Sequence, residues 1–438
     1  MTATRMQPED STYWFVREAF GWSVVLQLLW LLPAPPAPEA LRAFNSRLAE
    51  GVLARRLAPA VVPFARPRWE RAAAGPDLVV DPDPIPVAAV EPWARRELDT
   101  VPLDPERGPA WRLRAVTRTD GGAALSLTTL HLVADGRSMV AAAVDALHGN
   151  PRDPLTRHRA PRSPFAADLA DGVGQVAAAG RGILRAVRAS GTRADSPQAR
   201  VRAPAHQRAP RAEPAWAMVS VDVADWEAAA AAHGGTANTL FVAVLAGLLR
   251  TSGAARSGTP LVVGIPVSHR ADGDERGNAT AGVSVVLTDD PVPGGDLAGI
   301  RRLCKAAFTR LSAGQRPAHV HLTPLLTLLP TGVVVRAVSA GSAMPDAVAS
   351  NLGDFPAELA DVGGVTADAV AFRGTAQGVD PDLPYRFGDG VQSWLLRTGS
   401  TLSFSVAAFD ERHIADSAAL RGLLGAELGK WKVVHRLW

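Results

Sequence analysis

The chain has 438 residues, 47% of them hydrophobic and 20% charged, with a formal net charge of +3. That length exceeds one ordinary hydrophobic core and predicts two domains or subdomains, and the balance of residues excludes a disordered chain. A single cysteine, Cys304, excludes intramolecular disulfides and any multi-cysteine metal site.

In chain order, residues 9–22 bring Trp14, Phe15, Ala19 and Phe20 near one face and predict a helix. The run 24–33 is about half the length of a membrane-spanning helix and reads as a buried strand, stopped by the proline cluster 33–38. Leu41, Phe44, Leu48 and Val52 recur at helical spacing over 39–57. Residues 66–70 and the proline-rich 81–92 are too interrupted for a long element. Alternation over 113–117 and 125–130 predicts a hairpin turned at Asp120-Gly-Gly122. It delivers His131, and the chain then turns at Asp135-Gly136 into a helix-forming stretch, 138–147.

From 151 to 214 arginines far outnumber acids, and prolines bracket one helical piece, 165–189. This segment reads as a solvated crossover, with an anion site as the alternative. The second block alternates strands at 217–223, 261–267 and 283–287 with helices at 225–233, 240–249, 297–311 and 322–338. Strands at 347–351, 367–373, 392–397 and 401–408 and a helix at 416–428 complete it. Mixed helices and strands in two blocks predict an α/β fold with a 1–150 N-terminal subdomain, a 151–214 crossover and a 215–438 C-terminal subdomain. No leader-like cleavage pattern follows the first apolar run, so the expected location is cytoplasmic, with at most peripheral membrane contact.

Competing chemistries find little support. No G-x-S-x-G elbow, Walker loop or H-E-x-x-H is present. His319-Val-His321 lacks a third ligand nearby and reads as loop. His148, His158, His206 and His233 lie in contexts that propose nothing. Cys304, in a helical stretch, reads as a buried structural thiol. Two segments resemble each other, His131-Leu-Val-Ala-Asp-Gly136 and His269-Arg-Ala-Asp-Gly273. The second lies in a run of charges that reads as a solvated loop; apolar residues flank the first.

His131 to Gly136 resembles the H-H-x-x-x-D-G signature of the CoA-dependent acyltransferase superfamily, which includes chloramphenicol acetyltransferase and condensation domains. The chain is most similar to the wax ester synthase/diacylglycerol acyltransferase and condensation-domain-like branch. Four further stretches carry the resemblance in the same order: 102–113 with Trp111, 236–250 with Asn238, 265–270 continuing to Arg276-Gly-Asn278, and Ser350-Asn-Leu-Gly-Asp-Phe-Pro356. Leu130 stands where the first histidine of the pair would be, and Tyr385-Arg-Phe-Gly-Asp-Gly390 is only a remote echo of D-F-G-W-G.

The resemblance implies two chloramphenicol-acetyltransferase-like subdomains forming a pseudo-dimer with a tunnel between them. It implies acyl transfer from a thioester, on CoA or on the phosphopantetheinyl arm of an acyl or peptidyl carrier protein, to a hydroxyl or amine acceptor. His131 is then the general base, and Asp135 a brace paired with an arginine. Gly136 supplies a positive φ or a close backbone approach. Ser350, Asn351 or a backbone N–H is the expected oxyanion donor; Asn238 and Trp111 bind substrate or serve packing and capping. No metal, no further cofactor and no nucleic-acid partner are expected. The alternative function is a non-catalytic binding or docking module.

Overall fold

A computed structural model describes residues 4–157, 163–191, 214–271, 273–289, 294–335, 345–380 and 390–438. Two sheets organise it. The first has five strands in the spatial order Ala369–Gln377, Ser23–Leu32, Ala123–Leu130, Trp111–Thr117 and Val79–Val80. The second has seven, ordered Arg436–Leu437, Ala215–Asp222, Thr401–Ala408, Val391–Thr398, Ala347–Phe355, Leu261–Ser268 and Thr280–Leu287.

Ser23–Leu32 is the axis of the first sheet because it is apolar on both faces. Leu28, Leu29 and Trp30 are fully enclosed, as expected for a strand covered on two sides. Its one polar intruder, Gln27, is also fully buried and fully used. Its amide donates to Ser126 Oγ at 2.7 Å and Ala94 O at 2.8 Å, and its oxygen accepts from Arg373 Nε at 2.6 Å. Buried polar groups persist only when paired in this way.

Each sheet carries its own large apolar core, which gives the two-subdomain organisation. The chain does not divide cleanly at 215, however. Ala369–Gln377 lies within the 215–438 block yet pairs with Ser23–Leu32 in the first sheet, from Ser23↔Gln377 to Leu31↔Ala369. Ser403 and Ser405 of the second sheet donate from Oγ to the carbonyls of Val370 and Phe372, tying the two sheets at that strand.

Three further expectations are corrected. The helix expected over 39–57 spans Pro38–Leu48 and ends before Gly51; Arg55–Ala58 is a strand paired with Arg68–Arg71. The proline-rich 81–92 leads into a helix, Val90–Thr100, whose Pro92 sits in the first turn, where no intrahelical N–H is lost. The helix expected over 322–338 is a 3-10 segment, Ala318–Thr327, with Pro324 inside it, followed by a helical turn at 331–335. Residues 336–344, the crossover residues 158–162 and 192–213, and Tyr385 to Asp389 lie outside the described residues.

Candidate active site

His131 is the first residue beyond the wholly buried strand Ala123–Leu130. Its backbone N–H donates to Val24 O at 2.9 Å, so the central strand fixes where the turn begins. The turn closes through Val133 N to Leu130 O, and the helix Gly136–Leu147 starts behind it. Asp135 is the N-cap: Oδ1 accepts from Ser138 N at 2.8 Å. Its Oδ2 accepts from Arg270 Nη2 at 3.0 Å, Ala279 N at 2.9 Å and Thr280 Oγ1 at 3.1 Å. Asp135 is buried, so these donors and the guanidinium together hold a charge that would otherwise be expelled. Its carboxylate faces the loop after Leu261–Ser268 and locks the two subdomains at this point.

The imidazole is held from two sides. Asn278 Nδ2 donates to Asp10 Oδ1 at 2.8 Å and to the carbonyls of His131 and Leu132, both at 3.0 Å. Three acceptors around Nδ2 fix the amide orientation, so Asn278 Oδ1 faces His131 Nδ1 at 3.2 Å. Oδ1 has only lone pairs to offer; Nδ1 therefore carries the proton, and Nε2 is left with its lone pair. The second restraint is Tyr13, whose ring stacks on the imidazole with centroids 3.9 Å apart and planes 19° from parallel. Tyr13 Oη is also 3.0 Å from Nε2. With Nε2 unprotonated, the Tyr13 O–H is, among the described residues, the one group on hand that can donate toward it.

Asp10 anchors this arrangement from the N-terminal helix Pro8–Phe20. It is buried, and its Oδ2 accepts from Gln7 N at 2.8 Å and Trp69 Nε1 at 3.1 Å. Burial pushes its carboxyl up to about 6 against the pull of those donors, Asn278 and Arg55. Burial likewise holds the His131 imidazole below its ordinary value of 6.5, opposed by its own backbone carbonyl, the Asp135 charge and the Asn278 bond. The lowered value favours the neutral imidazole near pH 7. A shallow recess, with room for little more than a water molecule, is lined by Tyr13, Arg17, Ser23, Leu130 and Leu132, neighbours of His131.

Gly136 does not have a positive φ. Its requirement is steric: a Cβ there would come within 2.7 Å of Leu352 Cδ2 and 3.0 Å of Phe372 Cζ. Arg137 Nη1 donates to Leu352 O at 2.8 Å. The helix start is thus brought against the 350–353 segment, where the strand Ala347–Phe355 has an irregular register. Ser350 is buried there; exposed Asn351 folds its Oδ1 back onto Gly353 N at 2.9 Å and so serves the backbone. Trp111 is enclosed in the first core, opposite Thr129, and is a packing residue. Asn238 lies on the first turn of Ala237–Ser252, capped by Thr236 and Thr239, within the second subdomain.

The charged stretch after His269 is not simply a solvated loop. Arg270 reaches Asp135, Gly277 O accepts from Asp135 N at 3.0 Å, and Asn278 sets the histidine. His269 itself points away, its Nε2 3.3 Å from Glu9 Oε1. Cys304 is buried on Ala298–Ser312, its thiol pushed up to about 11 by burial. Among the described residues no group of three metal-ligating side chains occurs. Asp10 and Tyr13 carry no local sequence signal, and Arg270 and Asn278 stand in the sequence only as parts of a matching stretch.

No family model matches the sequence, and no curated protein matches it either. Solved structures do match over nearly the whole chain. The wax ester synthase/diacylglycerol acyltransferase from Marinobacter aquaeolei VT8 is 18% identical, with 98% of this chain and 99% of that chain covered at a TM-score of 0.60. The first condensation domain of the CDA synthetase is 16% identical, with 99% of each chain covered at 0.58. Polyketide synthase associated protein 5 from Mycobacterium tuberculosis is 16% identical, with 97% of each covered at 0.55. The chain has the fold of these acyltransferases and condensation domains, built from two chloramphenicol-acetyltransferase-like subdomains.

Proposed function

We propose that this protein transfers an acyl group from a thioester to a hydroxyl or amine, with His131 as the general base. The observation that carries the reading is the Asn278 bond, which keeps the proton on Nδ1 and leaves Nε2 unprotonated, facing only the Tyr13 hydroxyl among the described residues. The acceptor O–H or N–H lies in the imidazole plane and gives its proton to Nε2 while its heteroatom attacks the thioester carbonyl. The tetrahedral adduct collapses by breaking the C–S bond, and the imidazolium returns the proton to the departing sulfur. One imidazole serves both steps because its proton affinity lies near neutrality. The negative oxygen formed between them needs fixed donors. Ser350 and the backbone N–H groups around the irregular 350–353 segment are the nearest candidates, since that segment packs on Gly136.

The donor in this reading is an acyl-CoA or a carrier-protein-bound acyl group, and the arginine-rich crossover favours either anion. A pure binding module of this fold would not need the buried Asp10–Asn278 pair that fixes a histidine tautomer. The test compares wild type with His131→Ala, assaying acyl-CoA and acyl-pantetheine donors against hydroxyl and amine acceptors by intact-product mass. Loss of about 10²–10⁴-fold in kcat is expected. An active wild type matched by an equally active His131→Ala enzyme would remove His131 from the mechanism.

A further inference from the structure

The helix Pro164–Gly191 is amphipathic in the wrong sense for a helix that only closes a fold. Its inward residues are small or acidic: Asp168, Gly172, Ala179, Gly182 and Ala186. Asp168 accepts from Val61 N at 2.8 Å and pairs with Arg5 at 2.7 Å and Arg68 at 2.8 Å, and Asp171 pairs with Arg66 at 2.7 Å. A Cβ on Gly182 would fall 2.2 Å from His321 O, so glycine permits the close approach to the 3-10 segment Ala318–Thr327.

The large side chains point out. Phe165, Leu169, Val173 and Val176 in the first half, and Ile183, Leu184 and Val187 in the second, are each 46–66% exposed. At about 100° per residue all seven fall within an arc of about 100°. Arg181, Arg185 and Arg188 fall in the next arc, on the side away from the buried face. Val61 and Phe64, 65% and 52% exposed, lie on the segment that Asp168 and Asp171 hold against the helix. Solvated surfaces do not ordinarily gather a continuous apolar band of this kind.

We propose that this helix is a membrane-contact surface, laying its aliphatic band into the headgroup–acyl boundary of an anionic lipid bilayer with its arginines among the headgroups. A 28-residue helix is about 42 Å long, and the band runs along its outer face, which suits a plane better than a pocket. The band has one aromatic residue, whereas protein-interface cores are rich in Tyr, Trp, Phe and Met. The sequence that follows, 192–213, has five arginines against two acids. Among the described residues no single helix is long and apolar enough to cross a membrane, so the contact is interfacial.

The experiment is flotation of the full chain with phosphatidylcholine vesicles, with and without phosphatidylglycerol. One variant carries Leu169→Gln, Val173→Gln, Leu184→Gln and Val187→Gln; a second carries Arg181→Gln, Arg185→Gln and Arg188→Gln. Glutamine keeps helix propensity, and circular dichroism checks the fold. Wild type is expected to float with the anionic vesicles, and the apolar variant to lose that binding at least tenfold. The arginine variant is expected to weaken by about a hundredfold, with little change on neutral vesicles. A wild type that stays unbound, or an apolar variant that floats equally well, overturns the proposal. So does a wild-type dimer that dissociates in the apolar variant without lipid binding, which assigns the band to a second copy. Binding of an acidic carrier protein in place of vesicles also overturns it.

Discussion

His131 and His269 occupy similar-looking places, each following a strand and each preceding an Asp-Gly pair. His131 leaves Ala123–Leu130, which is paired on both sides, and its N–H is caught by Val24 of the central strand, so the ring is directed inward. His269 leaves Leu261–Ser268, beside the edge strand, and its ring is a third exposed, against Glu9. The neighbouring residues invert this. Arg270 turns in to hold Asp135, and Asn278, at the far end of the same loop, turns in to hold His131. One segment supplies the enclosed histidine and the other its supports.

The comparison breaks most severely at Arg270. Arg270→Met leaves Asp135 buried and charged with only neutral donors, and such a loss costs about 3–5 kcal/mol. Urea denaturation checks it. Adding Asp135→Asn to Arg270→Met should recover part of that loss, giving a coupling energy that two independent surface residues would not show. A cost below about 0.5 kcal/mol for Arg270→Met would mean that this ion pair is ornamental.

Asn278 is the next largest. Asn278→Ala removes the acceptor that sets the Nδ1 proton, freeing the ring to rotate and exchange tautomers. A displacement of that kind costs about 10²-fold in kcat with KM little changed. A variant that altered KM alone would place Asn278 in substrate binding instead. Because Asn278 acts through His131, adding it to His131→Ala should change nothing further, whereas a merely structural role would add its own loss.

A smaller effect appears in the pH profile. Burial lowers the His131 pKa, so the imidazole stays neutral as pH falls through 6.5, and with His131 as the proposed base the acid limb of kcat/KM should lie below 6.5. Asp10 takes up its proton at about 6, and the protonated carboxyl must give up one of its donors, which loosens Asn278 in the same window. The stability signs oppose. Asp10, raised in the folded state, favours folding at low pH and loses that contribution as pH rises through about 6. His131, lowered in the folded state, favours folding above 6.5 and loses that contribution as pH falls. Activity should therefore fall on the acid side while far-UV circular dichroism still reports a folded chain. An acid limb above pH 7 would contradict the buried neutral imidazole.

Local pattern carried most elements, because alternation and helical spacing are properties of adjacent residues. The strand Ser23–Leu32, the hairpin before His131 and the helix behind it were all legible in that way. The supports of His131 were not. Asn278 is 147 positions from His131, Tyr13 is 118 away, and Asp10 reaches the ring only through an amide 268 positions further on. Nothing local distinguishes an asparagine that will be buried among three acceptors from one in a loop. The charges at 270–276 were misread for the same reason: a solvated run and a buried clamp have the same composition. Val90–Thr100 was hidden by Pro92, which breaks a helix in its interior and is tolerated in its first turn.

The smallest predicted effect tests the comparison from its quiet side. His269 sits at the rim, 3.3 Å from Glu9, while Arg276 also reaches Glu9 at 3.5 Å. His269→Ala removes one of two partners of a partly exposed carboxylate. Exposed pairs of this kind contribute about 0–1 kcal/mol. Its stability should change by no more than about 0.5 kcal/mol, and kcat and the acid limb should stay at wild-type values. A tenfold fall in kcat would mean that His269 communicates with the reactive ring, through Glu9 and the N-terminal helix that also carries Asp10 and Tyr13. The division of labour between the two loops would then have to be redrawn around that helix.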